Sequence, residues 1–505
     1  MSDDAMQSLL CLAPMLNLVI AGLVVLVGEA RSPRHAARGW MSAFTLLAIL
    51  LSFLEVIVIG SRIEGFGVEV FSSLGSVDPL SLFLSGSVLS FTAVVVIASR
   101  DTLLRHGLER GEYYALVSFA AAGAIVMVST SHLFTLVLGL EVMSLSLYAL
   151  AGYFRTDARS VEASLKYFLV GSFASGFLLF GLALILGGAR SLDLRAVAAA
   201  FLGGGEDAHS LLRVGSGLLL VGFFFKTAAV PFHMWAPDVY DGSPTPVTGL
   251  MATGVKVAAV GAFLRVVLVG LAPARELVSG VFFWVAVATM VGGNLLALGQ
   301  GRVKRMLAYS SIAHVGYLLV GFAATGAGSA TAPAAVLYGT VAYATASFGA
   351  FAVVAFLETR SGAPLAFGDL HGLSRRYPFL AAAFAVFLLS LAGIPPLFGF
   401  LGKFYVFGSA IGIGMEAGDG SLVVLAVVGV ASSLVGLGYY LRALVAAFLK
   451  EPDGAALDFR RVRGGVAAAL AVAAAFTIWF GLGPAVPFGV SDLWDVAVRA
   501  VAPLR

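Results

Sequence analysis

The stretch LVGFFFKTAAVPFHMWAPDVY, Leu220–Tyr240, sets Lys226 directly after three phenylalanines and follows it with Pro231 and Pro237. The flanking residues suit lipid; the ammonium does not. Each proline removes a backbone donor and opposes a continuous helix, so the stretch predicts a membrane helix broken just after a buried lysine. The rest of the chain agrees with a lipid setting. It has 505 residues, is 60% hydrophobic and 12% charged, and has a mean hydropathy of +0.98, whereas soluble domains carry roughly 25% charged residues. Apolar runs of about 18 residues or more recur from end to end, each able to cross a hydrocarbon layer about 30 Å thick as a helix. About fourteen are counted, with cores near 8–28, 40–60, 78–98, 112–128, 132–153, 164–187, 214–233, 245–270, 277–298, 306–325, 333–357, 379–412, 421–448 and 464–485. A membrane barrel needs short alternating segments; these runs are continuously apolar. The expected fold class is an all-α polytopic membrane protein.

Composition also narrows the chemistry. The single Cys11 leaves no pair for an intrachain disulfide and no cysteine-rich zinc or iron–sulfur site. The seven histidines lack metal-ligand spacing, and neither a Walker A loop nor a dinucleotide fingerprint follows a plausible strand. No metal site, cofactor-binding site or nucleic-acid partner is therefore expected on this chain; the lipid bilayer is its first partner. The N-terminus MSDDAMQSLL lacks the basic region of a cleaved signal peptide, so the first span is expected to remain in the mature chain.

Assigning the loops alternately to two sides gives 18 Lys and Arg on one side, in 29–39, 99–111, 154–163, 299–305, 358–378 and 449–463, against 7 on the other. The positive-inside rule places the first side in the cytoplasm and both termini outside. Six of the 31 basic residues fall within spans: Lys166, Lys226, Lys256, Arg265, Lys403 and Arg442. An ion at the bilayer centre costs at least about 2.5–3.5 kcal/mol. Arg265 and Arg442 lie late in their helices and read as snorkelling residues. Lys166, in EASLKYFLVG, reads equally as snorkelling or functional. Lys226, Lys256 and Lys403 are deeper and read as functional. Glu141 sits in the middle of span 5, with Ser144, Leu145 and Tyr148 on one helical face. Glu55, nearer the end of span 2, reads as a solvated or lipid-surface residue.

Span 12 repeats the design of span 7. In SLAGIPPLFGFLGKFYVF, Ser390–Phe407, Gly393, Pro395 and Pro396 break the helix and Lys403 follows. Two broken spans five apart suggest a duplicated unit, and consecutive units of five helices must have opposite orientations. Two inverted five-helix repeats with discontinuous helices at spans 7 and 12 are thus expected, a pattern of ion-translocating folds. GLEVMSLSLYALAGY in span 5 pairs weakly with LAYSSIAHVGYLLVGF in span 10, bringing Glu141 into register with the region of His314. The expected divisions are a three-helix segment 1–111, a first repeat 112–271, a second repeat 272–448, and a C-terminal helix and tail 449–505.

GLEVMSLSLYALAGY, FFKTAAVPFHMWAPDVYDGSPTPVTGLMATGVKVA, VKRMLAYSSIAHVGYLL and LAGIPPLFGFLGKF together resemble the antiporter-like membrane subunits of respiratory complex I, the proton-translocating NADH:quinone oxidoreductase. The resemblance covers essentially the whole chain, and PDVYDGSPTPVT is its most specific part. TGLMATGVKVA in span 8, Lys403 in span 12 and the lack of a lateral helix after span 14 resemble the N-type members rather than the L or M types. The resemblance implies that Glu141 pairs with Lys226, that Lys256 continues a polar axis, and that Lys403 is the last relay. His314 and Lys166 fall on polar positions of the family. NADH, FMN, iron–sulfur clusters and quinone are implied in partner subunits, with M-, K- and J-type chains as lateral neighbours.

Physically, burial in an apolar cavity favours the neutral amine of a lysine and an adjacent carboxylate favours the ammonium. A proton on Lys226 is then held or released according to where Glu141 stands. Two alternatives stay open: a monovalent cation/proton antiporter of the same fold, and a structural subunit whose charges only fix helix packing.

Overall fold

The computed structural model describes residues 3–33, 38–62, 68–70, 74–361, 363–451, 464–482 and 490–504. Among them, 13 helices are long and apolar enough to cross a membrane. All fourteen expected spans form helix. Spans 1–6 are Asp3–Arg31, Gly39–Arg62, Pro79–Arg105, Gly111–Val128, Leu133–Ala151 and Ala158–Ala189. Span 7 runs Glu206–Thr227, stops, and resumes as Trp235–Gly242. Span 8 runs Thr245–Ala252 and Gly254–Arg265, then closes in a π-helical turn, Val266–Gly270. Spans 9–11 are Arg275–Leu298, Val303–Gly326 and Ala332–Ser361; span 12 is Pro378–Ala392 followed by Phe398–Glu416; span 13 is Gly420–Phe448. Span 14, Gly464–Trp479, is shorter than its expected core at 464–485, and an amphipathic helix Val490–Val501 comes after it. These helices satisfy their own backbone groups, as lipid demands.

Loops that the alternation assigns to one side meet each other. On the side poor in Lys and Arg, the Thr130 hydroxyl donates to Leu74 O and the Leu194 amide to Ser131 O. There Val68–Val70 pairs antiparallel with Gly75–Val77. On the basic side, the Gly111 amide donates to Glu29 and the Gly372 amide to Lys450 O. Spans 8, 10 and 11 form the centre, with 89–94% of their apolar windows buried, against 28–33% for spans 1, 2 and 13. The peripheral spans show Leu50, Leu54, Val427 and Leu434 to the surroundings, as lipid-facing helices do.

Without a hydrophobic drive between helices in lipid, close association depends on small residues that let backbones meet. A Cβ on Gly139 would lie 2.6 Å from Met127 N, and one on Gly123 would lie 2.5 Å from Met143 N. Spans 4 and 5 thus cross at glycines. Spans 9 and 10 do the same, since a Cβ on Gly316 would meet Met290 N at 2.6 Å and one on Gly293 would meet Ala313 N at 2.7 Å. Gly139→Ala is expected to cost about 1–3 kcal/mol by forcing spans 4 and 5 apart. A thermal midpoint of the solubilised protein equal to that of the unsubstituted chain would refute this.

The breaks in spans 7 and 12 have local causes. Span 7 ends because Ala228 takes the left-handed conformation (φ 63°), with the Ala228 and Ala229 amides turned back to Phe225 O and Phe224 O. Span 12 ends at Gly393 (φ 85°), whose amide and that of Ile394 return to Leu389 O. Pro231 and Pro395 then bar continuation. The break in span 8, at Thr253 (φ −119°, ψ −95°), carries no proline and was not anticipated; its one sequence mark is the Thr253-Gly254 pair.

Arg265 corrects a sequence expectation. It does not snorkel: it is fully buried, its guanidinium paired through two nitrogens with Asp78 (2.5 and 2.8 Å) and donating also to Val128 O (3.2 Å). Asp78 is at the same time the N-cap of span 3, in a capping box with Ser81. One buried ion pair therefore ties together the ends of spans 3, 4 and 8. Arg442 behaves as expected, exposed on the basic side and donating to Leu298 O and Gln300 O. Glu55 departs from its reading in part, since one carboxylate oxygen is buried without a hydrogen-bond partner in span 2.

Candidate functional site

The three deep lysines all stand beside helix breaks. Lys226, at the last turn before the span 7 break, is buried and donates to Ser144 Oγ (2.9 Å) and Tyr167 OH (3.3 Å). Tyr167 stacks on Trp235 at 4.6 Å, and the Trp235 indole donates to Phe225 O, which also accepts from the Ala228 amide at the break. Glu141 lies on the same helix as Ser144 but accepts from Ser175 Oγ at 2.5 Å. Among the described residues, no ion pair joins Glu141 to Lys226. The expected pairing is replaced by a serine and a tyrosine on the lysine side and a serine on the carboxylate side.

Lys256 is in the first turn after the span 8 break, buried, and donates to Ser311 O (3.3 Å) and Ser311 Oγ (2.5 Å). The Tyr343 hydroxyl donates to the same Ser311 Oγ (2.7 Å), and the Lys256 ammonium lies 5.3 Å from the Tyr343 ring centre. The His314 ring is 5.0 Å from Tyr343, and its nitrogens face two carbonyls, Ser310 O at 2.9 Å and Leu391 O at 3.1 Å. A neutral imidazole carries one N–H and satisfies one of these; the imidazolium satisfies both. Leu391 O also accepts from Lys403, whose ammonium donates further to Ala392 O (3.0 Å) and Ser433 Oγ (2.7 Å). The span 12 break thus supplies the carbonyls that hold Lys403. Lys256, His314 and Lys403 form one line through Ser311, Tyr343 and Leu391 O, beside a small cavity of about 20 Å³ that His314, Tyr343 and Lys403 line. Among the described residues, no direct hydrogen bond joins this line to Lys226.

Lys166 falls elsewhere. It lies at the basic rim, paired with Glu162 (2.7 Å) and Asp238 (2.8 Å), and Asp238 also accepts from Arg305 (2.7 Å). Nearby, Arg302 pairs with Asp241, and Lys304 donates to Ser243 O (2.6 Å) and lies 3.6 Å from Glu358, which accepts from Thr245. Two cavities of about 90 and 170 Å³ open among these groups. Sequence reasoning missed this rim, and it also missed Tyr167, Ser311 and Tyr343. Tyr343 and Ser347, four residues apart in an apolar helix, were the signal available.

Asp157 borders the cavity that Lys304 and Glu358 line and caps span 6, accepting from the Arg159 amide at 3.0 Å. Burial alone raises its carboxyl, but hydrogen bonds from the Arg159 side chain and amide outweigh it, helped by the Arg159 and Lys304 charges, and hold it below the usual aspartate range. A carboxylate lowered on folding stabilises above its unfolded value, near about 4, and the gain is lost as pH falls through the lower folded value. Asp157→Ala is therefore expected to cost about 1 kcal/mol at pH 7. The difference in thermal midpoint from the unsubstituted chain should shrink only below about pH 4; a difference that vanishes already at pH 6 would contradict the assignment.

Residues 130–434 match the family model described as NADH:quinone oxidoreductase/Mrp antiporter, TM. NADH-quinone oxidoreductase subunit N 1 of Sorangium cellulosum is 39% identical over 98% of this chain and 99% of its own length. This chain belongs to the subunit N family of NADH-quinone oxidoreductases. The subunit N fold is also seen in a chain of respiratory complex I from Thermus thermophilus with bound aureothin, 34% identical with a TM-score of 0.76, over 94% of this chain and 98% of that one. A chain of the Mrp complex from Dietzia, 24% identical with a TM-score of 0.79 over 100% of this chain and 98% of that one, shares the fold.

Proposed function

We propose that this chain is a proton-translocating membrane subunit of an NADH:quinone oxidoreductase, passing protons from the cytoplasm outward through Glu141, Lys226, Lys256, His314 and Lys403. Lys166 belongs to the entry rim. The observation that carries the reading is the run of protonatable groups and carbonyls from Lys256 through Ser311 to Tyr343 by hydrogen bonds, across a 5.0 Å ring contact to His314, and from His314 to Lys403 by the shared Leu391 O. His314 faces an acceptor with each nitrogen, so a second proton arriving on the ring finds a carbonyl in place. Moving one charge against about 100 mV costs roughly 2.3 kcal/mol, so the drive is external to this chain. NADH oxidation and quinone reduction, with FMN and iron–sulfur clusters, belong to partner subunits; this chain is a non-redox translocase component. The glycine crossings of spans 4 with 5 and 9 with 10 support two inverted units, 112–271 and 272–448, flanked by 1–111 and 449–505. In this arrangement the basic side faces the bacterial cytoplasm, both termini lie outside, and M-, K- and J-type subunits are the neighbours.

The shared fold with the Mrp complex chain keeps one rival, a monovalent cation/proton antiporter. The deciding experiment separates mild-detergent extracts of the native membrane on a native gel, stains for NADH dehydrogenase activity, and locates this chain by mass spectrometry. Its presence in the active band supports the proposal. Its reproducible presence in an inactive band, with cation-dependent proton exchange in the absence of NADH, overturns it.

A further inference from the structure

Five phenylalanines from four helices meet on the Lys/Arg-poor side of the lysines. Phe223 and Phe224 stand about one turn beyond Lys226 in span 7; Phe263 is about two turns beyond Lys256 in span 8; Phe322 is about two turns beyond His314 in span 10. Phe282 of span 9 completes the group. The Phe223 and Phe263 rings stack in parallel at 4.6 Å, Phe263 meets Phe322 at 4.8 Å and Phe282 at 5.4 Å, and Phe282 meets Phe322 at 5.2 Å. All five are at most 3% exposed. Of the polar side chains on the neighbouring turns, Thr227 and Thr325 bond to their own helices, at Phe223 O and Gly321 O, and Ser279 donates across to Ala323 O of span 10. Beyond the rings, the buried Asp78–Arg265 pair holds the end of span 8 against spans 3 and 4.

We infer that this aromatic cluster is a proton-tight seal, which forbids exchange between Lys226 or Lys256 and the outer side and so forces protons sideways to Lys403. The inference rests on the proposed relay. A lysine that takes protons from one side and stands open to the other is a leak, because protons driven by the membrane potential return through it. Protons move through proteins along water and polar groups, and a packed apolar layer offers water neither room nor hydrogen-bond partners, as in the hydrophobic constrictions that close channels. Phe263, touching four other rings, is the keystone.

The test measures passive proton flow in the intact complex, reconstituted in phosphatidylcholine vesicles that contain a pH-sensitive dye, with the potential clamped by potassium and valinomycin and with neither NADH nor quinone added. Phe263→Ser and Phe322→Ser place a hydroxyl and space for water in the cluster, and each is expected to speed dissipation of an imposed pH step about tenfold. Phe263→Leu should keep the barrier. Phe384→Ser, at an equally buried phenylalanine of span 12 outside the cluster, should leave the rate unchanged and controls for general loosening. An unchanged rate in the assembled Phe263→Ser and Phe322→Ser complexes overturns the seal, as does an equal acceleration in Phe384→Ser. If Phe263→Ser fails to assemble, Phe322→Ser and Phe282→Ser decide alone. Because no redox reaction drives the flow, the result is independent of whether NADH powers the complex; failure of the proposed function would appear instead in the native-gel assignment.

Discussion

Lys226→Ala is expected to slow the proton transfer at the span 7 break by about 10²–10⁴-fold, the usual contribution of a positioned acid or base, and so to abolish translocation through this chain. Coupled quinone reduction should fall with it, since a blocked proton step holds back the reaction that drives it. The informative partner is Lys226→Arg. A guanidinium keeps the positive charge beside Ser144 and Tyr167, so a purely structural role for the charge predicts recovery. It does not release its proton in proteins, so a relay role predicts that Arg is as inactive as Ala. The measurement is NADH-driven acidification of inverted membrane vesicles, normalised to the assembled complex on a native gel. Wild-type pumping in either variant would remove Lys226 from the path. Glu141→Ala is expected to act in the same direction, but through a rearrangement: in this conformation its carboxylate is engaged by Ser175 rather than by the lysine.

The sequence made the spans legible because lipid imposes one simple condition, a continuous apolar helix long enough to cross. It also made two breaks legible, since Pro231 and Pro395 announce a missing donor. The break in span 8 stayed hidden because Thr253 enters an irregular conformation without any residue that requires it. Depth along a helix located Lys226, Lys256 and Lys403, but it did not reveal what they touch. Their side-chain partners come from other spans, Ser144 at a separation of 82 residues and Ser311 at 55, and several further acceptors are backbone carbonyls, two of them across the break of Lys403's own span, which no side-chain pattern encodes. The same limit explains the Glu141 geometry and the place of Lys166, whose neighbour Asp238 is brought in by the short helix after the span 7 break. Arg265 was misread for the converse reason. A late position in a helix suggests an easy reach to water, yet its carboxylate partner is 187 residues away and draws the guanidinium inward.

That pair carries the second large expectation. Removing either partner, as in Asp78→Ala or Arg265→Ala, leaves a buried charge uncompensated and is expected to cost about 3–5 kcal/mol, seen as loss of the chain from membranes or a large drop in the thermal midpoint of the solubilised protein. Asp78→Ala carries an added loss because Asp78 also caps span 3. The double replacement Asp78→Asn with Arg265→Met removes both charges and keeps a capping side chain, and should recover much of the loss, since well-packed neutral groups often serve as well as a buried ion pair. The cycle therefore separates two roles. If the double variant is stable and holds a proton gradient as well as the unsubstituted complex, the charges are a means of fixing the end of span 8 and the phenylalanines alone resist protons. If it is stable and leaks, the pinned guanidinium is itself part of the barrier, as a fixed positive charge in a narrow path repels protons. A single Asp78→Ala variant as stable as the unsubstituted chain would contradict both, because a buried guanidinium with its Nε already unpartnered has no other carboxylate bonded to it in this fold among the described residues.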